Sequence, residues 1–200
     1  MTWLSAMEDG MKVALYCSDV SGAFDRVASE RLVAKLVAKG MRPQMVRVVA
    51  SWLETRRAHV VVEGSSSDAT DLLNMVFQGT VWGPILWNCF FEDVRLAVAD
   101  SGFSEVVYAD DMNCYKEFAA TVGNAHLHTE MQARQSKLHS WGAANQVVFD
   151  PGKESFHIIH ATQAEGEGFT SLGVGPIASW LWVLRATISL SGPPGVYALY

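Results

Sequence analysis

The run SEVVYADDMNCYKEF (104–118) constrains the chain most, because two strand-type stretches meet at Ala109-Asp110-Asp111 and put two adjacent acids at a hairpin tip. A second run, KVALYCSD (12–19), is almost continuously apolar and ends on Asp19, the pattern of a strand buried on both faces. Acids in such places are commonly solvated turn residues. Here, however, Val106, Val107 and Tyr108 predict that the pair comes straight out of a buried strand. Adjacent carboxylates also repel each other unless a cation neutralises them. Asp19 and Asp110 are 91 positions apart, so the sequence leaves open whether they meet.

The segments between these runs read mostly as helices. Ser29 is placed to cap a helix with Leu32, Val33, Leu36 and Val37 on one face, and Gly40 stops it. Pro43 suits the first turn of the next helix, with Met45, Val48, Val49 and Trp52 turned inward. AHVVVEG (58–64) and LLNMVF (72–77) predict a hairpin that Gln78-Gly79 breaks. Pro84 opens a helix to about Gly102, and a longer one runs from about Val122 to Ala144 with Leu127, Met131, Leu138 and Trp141 inward. VVFDPGKESFHIIH (147–160) predicts a strand pair turning at Pro151-Gly152. The order is that of an α+β layer, with helices packed on one face of an antiparallel sheet.

Two hundred residues, half of them hydrophobic and 18% charged, make a folded domain rather than a disordered chain. Cys17, Cys89 and Cys114 are odd in number and lie in apolar runs, so they read as buried thiols in a reducing, intracellular setting. The start lacks the signal-peptide pattern, and the apolar run 177–190 is too short to span a bilayer. No zinc-type Cys/His spacing and no GxxxxGK[ST] loop occurs. The net charge is −6, but residues 1–60 hold nine Lys and Arg against six Asp and Glu, a local balance of +3. Such a stretch can follow a phosphate backbone, or Arg31, Lys35 and Lys39 can simply form the solvated face of a helix. An oxygen-only cluster of acids, if the three meet, suits Mg²⁺ and phosphoryl transfer.

DVSGAFDRV (19–27), QGTVWGP (78–84), YADD (108–111), DPGKE (150–154) and SLGV (171–174) together resemble the ordered motifs of reverse transcriptases, most of all those of non-LTR (LINE-type) retrotransposons. The resemblance spans roughly 12–174 and implies a polymerase palm-like fold. It also implies an RNA-directed DNA polymerase that uses two Mg²⁺ ions, with Mn²⁺ as a substitute, on an RNA template, a DNA primer and a dNTP. On this basis Asp19 and Asp110 are the principal metal ligands and catalytic acids, with Asp111 beside them. Phe24 becomes the steric gate under the incoming sugar; otherwise it is a core ring. Gln78 and Gly79 line the nucleotide pocket; otherwise they only turn the chain. Lys153 becomes the general acid near the leaving pyrophosphate; otherwise it is an ordinary surface lysine. Asp25 completes the AFD triplet in a structural role. SLGV resembles the grip on the primer end, although Leu172 and Val174 also suit a core.

The sequence departs from the family at NMVF (74–77), where a glycine and a short turn are usual. Trp82 and Trp87 are likewise bulkier than the usual residues. The expected domains are a partial palm region over 1–175 and an atypical tail over 176–200, read as a frameshifted or mispredicted end. Fingers, thumb and an endonuclease partner of a full-length relative are expected to be missing, so the chain alone is expected to extend a primer poorly. The alternative is a catalytically incomplete remnant that keeps the fold and weak nucleic-acid binding. No membrane partner is expected.

Overall fold

A computed structural model of the chain describes residues 3–54, 56–72 and 75–160. The SLGV segment and the 176–200 tail lie outside them. In chain order the elements are α1 (Trp3–Glu8), β1 (Lys12–Ser18), a 3-10 turn (Ala23–Arg26), α2 (Ser29–Ala38) and α3 (Pro43–Leu53). Four short strands follow: β2 (Arg56–Ala58), β3 (Val61–Val62), β4 (Ser65–Ser66) and β5 (Thr70–Leu72). Then come α4 (Gly83–Phe91), α5 (Val94–Val98), a 3-10 turn (Ala99–Ser101), β6 (Ser104–Tyr108), β7 (Asp111–Phe118), α6 (Asn124–Asn145) and β8 (Ser155–His160). The fold is α+β with an antiparallel main sheet. None of the described helices is long and apolar enough to cross a membrane.

The chain divides into two compact units, one drawing on residues up to Ser21, Arg95–Ser140 and the segment from Val148, the other on Gly22–Val94 and Trp141–Val147. The first holds a four-stranded sheet in the order β6-β7-β1-β8, every pair antiparallel. Its central strand β1 is buried from Val13 to Ser18, which is why its sequence shows no polar alternation. The register sets Cys17 opposite Asn113 on one side and Ser155 on the other. One face of the sheet meets α6: Lys116 pairs with Glu130 at 2.7 Å, and His128 stands edge-on to Phe156 at 5.4 Å between ring centres. α1 puts Ala6 against Val13 and Ile159.

The inward row of α6 is Leu127, Met131, Leu138 and Trp141 as its period predicts, with Arg134 in the same row and fully buried. Arg134 donates to the Val98 carbonyl, to Glu105 at 3.2 Å and to Cys114 Sγ at 3.1 Å. It therefore ties α5 and both strands of the β6–β7 hairpin to α6.

In the second unit α2 packs on α3 and α4 around Leu32, Leu36, Val46, Val49 and Leu53, with Leu86, Trp87, Phe90 and Phe91 from α4. The expected inner face of α3 is rotated. Val46 and Leu53 are buried with Val49, whereas Met45 and Val48 are about half exposed. Val37, at the end of α2, is also exposed, because the outer edge of the predicted stripe finds nothing to pack on.

Lys35 and Lys39 are not simply solvated. Lys35 donates to the Phe90 carbonyl and to Asp93, both at 2.7 Å, and Lys39 pairs with Glu92. Burial lowers the Lys35 ammonium from its usual range despite the Asp93 partner.

The strand expected to be buried ahead of Asp110 is instead the edge strand β6, which leaves Val107 and Tyr108 exposed. Four further segments differ from the sequence pattern. The 58–64 run is two short strands rather than one, because Glu63 (φ 50°) and Gly64 (φ 81°) turn inside it and pair Val61–Val62 with Ser65–Ser66. β2 and β5 pair outside that turn, so among the described residues of the 72–77 run only Leu72 is in a strand. The helix expected from Pro84 to Gly102 is interrupted between Phe91 and Val94, near the Lys35–Asp93 contact. Ahead of β8, residues 147–154 form no full strand partner and contribute only a bridge from Phe149 to Val20.

Candidate active site

β1 delivers Asp19 immediately past its last residue. The strand's pairing carries on through the Val20–Phe149 bridge, with Ser21 N–H on the Val148 carbonyl and Asp150 N–H on the Asp19 carbonyl, each at 2.9 Å. Asp19 is thus fixed by its own backbone and is 8% exposed. β6 and β7 pair up to Tyr108 and Asp111, leaving Ala109 and Asp110 as a two-residue loop. Ala109 takes a left-handed φ of 53°, the sign such a hairpin turn demands and one that L-alanine adopts at a cost of about 1 kcal/mol. That turn holds Asp110 at the tip and starts β7 on Asp111.

The carboxylates share one electrostatic neighbourhood. Asp111 is pushed up to about 6, first by burial, then by the charge of Asp19 and a hydrogen bond with it, and then by Asp110. Burial raises Asp110 as well, with Asp19 adding to it. Lys153 donates to Asp19 Oδ2 at 2.5 Å, and this contact raises the ammonium above its ordinary range. Lys153 rides on a turn in which Asp150 Oδ1 accepts from Gly152 N–H at 3.0 Å and the Asp150 carbonyl accepts from Lys153 N–H at 3.0 Å. Asp19, Asp110, Asp111 and Lys153, drawn from three separate stretches of sequence, therefore meet within the first unit.

Among the described residues no three His, Cys, Asp or Glu side chains form a ready ligand cluster for a metal. The donor chemistry is nonetheless that of a hard-cation site. All donors are carboxylate oxygens, two of the three acids resist ionisation, and one divalent ion would relieve that repulsion.

Phe24, Gln78 and Gly79 belong to the second unit. Phe24 lies in the 3-10 turn, its carbonyl accepting from Val76 N–H at 2.8 Å and its ring 5.8 Å from Trp87. Two residues beyond Val76, Gln78 and Gly79 form the corner of a turn closed by Thr80 N–H on the Phe77 carbonyl at 3.3 Å. Gly79 has φ 84°, which this turn needs at its third position. Gly83 approaches so closely that a Cβ would lie 2.9 Å from the Phe77 carbonyl oxygen. The two bulky tryptophans are accommodated: Trp87 is buried and stacks on Phe91 at 4.9 Å, and Trp82 lies 5.9 Å from Trp52. Asp25 is exposed in the 3-10 turn.

Three polar residues of the first unit are buried although the sequence marks none of them as a site residue. Asn113, next on its strand face after Asp111, is 4% exposed and its Nδ2 has no hydrogen-bond partner. Glu154 is 9% exposed beside the exposed Lys153. Arg134 alone gave a signal, since it falls in the apolar row of α6 at helical spacing.

The profile of the family described as reverse transcriptase (RNA-dependent DNA polymerase) matches residues 5–174. The RNA-directed DNA polymerase from mobile element jockey of Drosophila melanogaster is 35% identical over 147 residues, covering 69% of this chain and 16% of that protein. Its counterpart from Drosophila funebris is 34% identical over 141 residues, 68% of this chain and 15% of the relative. The chain thus spans about a sixth of the length of the curated relatives it matches.

Proposed function

Because the chain belongs to the reverse transcriptase family, whose members use divalent metal ions, a nucleic-acid template and primer, and dNTPs, we propose that its residues 1–175 are the palm region of an RNA-directed DNA polymerase of the non-LTR retrotransposon type. The observation that carries this is the meeting of Asp19, Asp110, Asp111 and Lys153 in one unit, with two of the acids held above the usual carboxylate range. In the reaction the primer 3′-oxygen bonds to the α-phosphorus of a dNTP, the bond to the β-phosphate oxygen breaks, and pyrophosphate leaves.

Asp19, Asp110 and Asp111 would hold two Mg²⁺ ions, with Mn²⁺ able to replace them. When bound, the ions supply charge stabilisation at the attacking and leaving oxygens. The rest falls to the chain's own groups. Lys153, cationic and mostly exposed, offers a proton and a positive charge to the departing pyrophosphate. Phe24 serves as the ring under the sugar that rejects a 2′-hydroxyl. Gln78 and Gly79 line the nucleotide pocket, and Gly79 keeps the turn free of a Cβ.

A primer-extension assay on an RNA template with added Mg²⁺ tests the proposal, alongside calorimetric titration of Mn²⁺ into the chain. Synthesis that disappears in Asp110→Asn, together with Mn²⁺ binding weakened in Asp19→Asn, supports it. Mn²⁺ affinity equal in wild type and both variants would remove its basis.

A further inference from the structure

Lys153 stands on an exposed turn, and an exposed lysine ordinarily samples many rotamers at little cost. Its contact with Asp19 therefore calls for something that restrains the turn. One restraint is the Asp150 N–H bond to the Asp19 carbonyl at 2.9 Å. The other is the next residue along. The Glu154 carboxylate is almost fully buried, and it accepts from Tyr16 O–H, from His139 Nε2–H at 2.7 Å and from Gln135 Nε2–H at 3.1 Å. Tyr16 is fully buried in β1, three residues before Asp19, while Gln135 and His139 are one helical turn apart on α6. His139 is stacked on Phe149 at 5.6 Å, so that donor is itself fixed.

Glu154 thereby fastens one end of the turn to α6 and to the strand that delivers Asp19. The other end hangs from the Asp19 backbone. A buried carboxylate demands partners, and one with three donors tolerates little displacement.

We propose that Glu154 is the positioning residue of Lys153, its carboxylate locking the Asp150–Glu154 turn so that the Lys153 ammonium is delivered to Asp19. The functional meaning of that pair rests on the polymerase reading, but the mechanical claim does not. The hydrogen bonds of the Glu154 side chain run to Tyr16, Gln135 and His139 rather than to Asp19. It acts through the turn.

The test follows the Lys153 ammonium by NMR in the full chain labelled with ¹⁵N at the lysine side chains. An ammonium held by a carboxylate exchanges its protons slowly enough to be seen, and Asp19→Asn identifies the signal by abolishing it. Glu154→Ala should abolish the signal while the backbone amide spectrum stays folded. Removing the Glu130 partner of Lys116 by Glu130→Gln should lower stability without touching the Lys153 signal, which separates positioning from general destabilisation. If Glu154→Ala fails to fold, the double variant Gln135→Ala/His139→Ala decides by the same criterion. A Lys153 signal that persists in a folded Glu154→Ala chain, or in the double variant, overturns the proposal. Because the readout is the ion pair itself, loss of the polymerase reading would leave the result standing.

Discussion

Asp19, Asp110, Asp111 and Lys153 are held in the first unit by charge, burial and hydrogen bonds, whereas Phe24, Gln78 and Gly79 in the second are held by backbone turns and, for Phe24, a tilted ring contact with Trp87. The first arrangement stores electrostatic repulsion that a ligand can release. The second stores shape: a glycine at positive φ, a second glycine against a carbonyl, and a tryptophan packed on three other rings. A site of the first kind responds to pH and cations. One of the second kind responds to volume.

Substitutions break this contrast at different depths. Trp87→Ala should have the largest effect on stability, about 4 kcal/mol, because a fully buried ring leaves a cavity among Phe24, Phe90 and Phe91. Urea unfolding measures it, and added divalent ions should restore nothing. Arg134→Met should cost about 3 kcal/mol, since it strands the half of Glu105 that Arg134 neutralises and unties the β6–β7 hairpin from α6. Here added Mn²⁺ should bind more weakly than to wild type, since the hairpin carries Asp110 and Asp111. Equal Mn²⁺ affinity would show that the tip needs no such anchor.

Gly79→Ala should cost about 1–2 kcal/mol by forcing a side chain into left-handed backbone, with the near-neighbour space itself open. Its mark is a loss of stability that is the same at pH 4 and pH 7.

Asp111→Asn should move stability least and in the opposite direction. Asp111 ionises later in the folded chain than in the unfolded one, near 6 against 3.8, so the folded state holds the extra proton between those values. The stability this contributes is present below the unfolded value and is lost as pH rises through about 6. The metal-free wild type should therefore weaken between about pH 4 and 6, and Asp111→Asn should weaken less. At pH 7 the variant should gain on the order of 1 kcal/mol, reduced by solvent screening at a partly exposed site. Thermal melts across pH check it, and a wild-type curve that stays flat would refute the repulsion.

The elements themselves were largely legible. β1, α2, α3, α6 and the β6–β7 hairpin come from apolar period, the Gly40 stop, Pro43 in a first turn and turn residues, all of which act within a few positions, whereas Ser29 lies inside α2 and Ala28 stands at its N-cap. The misread segments are those where a neighbour decides. Val37, Met45 and Val48 fit an apolar stripe yet meet no partner, and AHVVVEG looks like one strand until Glu63-Gly64 is allowed to turn. The acids were legible as candidates through their places at a strand end and a hairpin tip. Glu154 was not, because nothing local distinguishes a buried glutamate from the exposed lysine before it.

The sequence by itself determined that this chain has a buried strand ending in an acid, a hairpin tipped by two more, and five motifs resembling one polymerase family. Local sterics and hydrophobic period are short-range, so those features survive without knowledge of the fold. Only the tertiary structure decided that Asp19 and Asp111 share one electrostatic neighbourhood, that Lys153 reaches Asp19, and that Tyr16, Gln135 and His139 converge on Glu154. Those contacts join positions 15 to 138 residues apart, where burial and strand register alone set the distances.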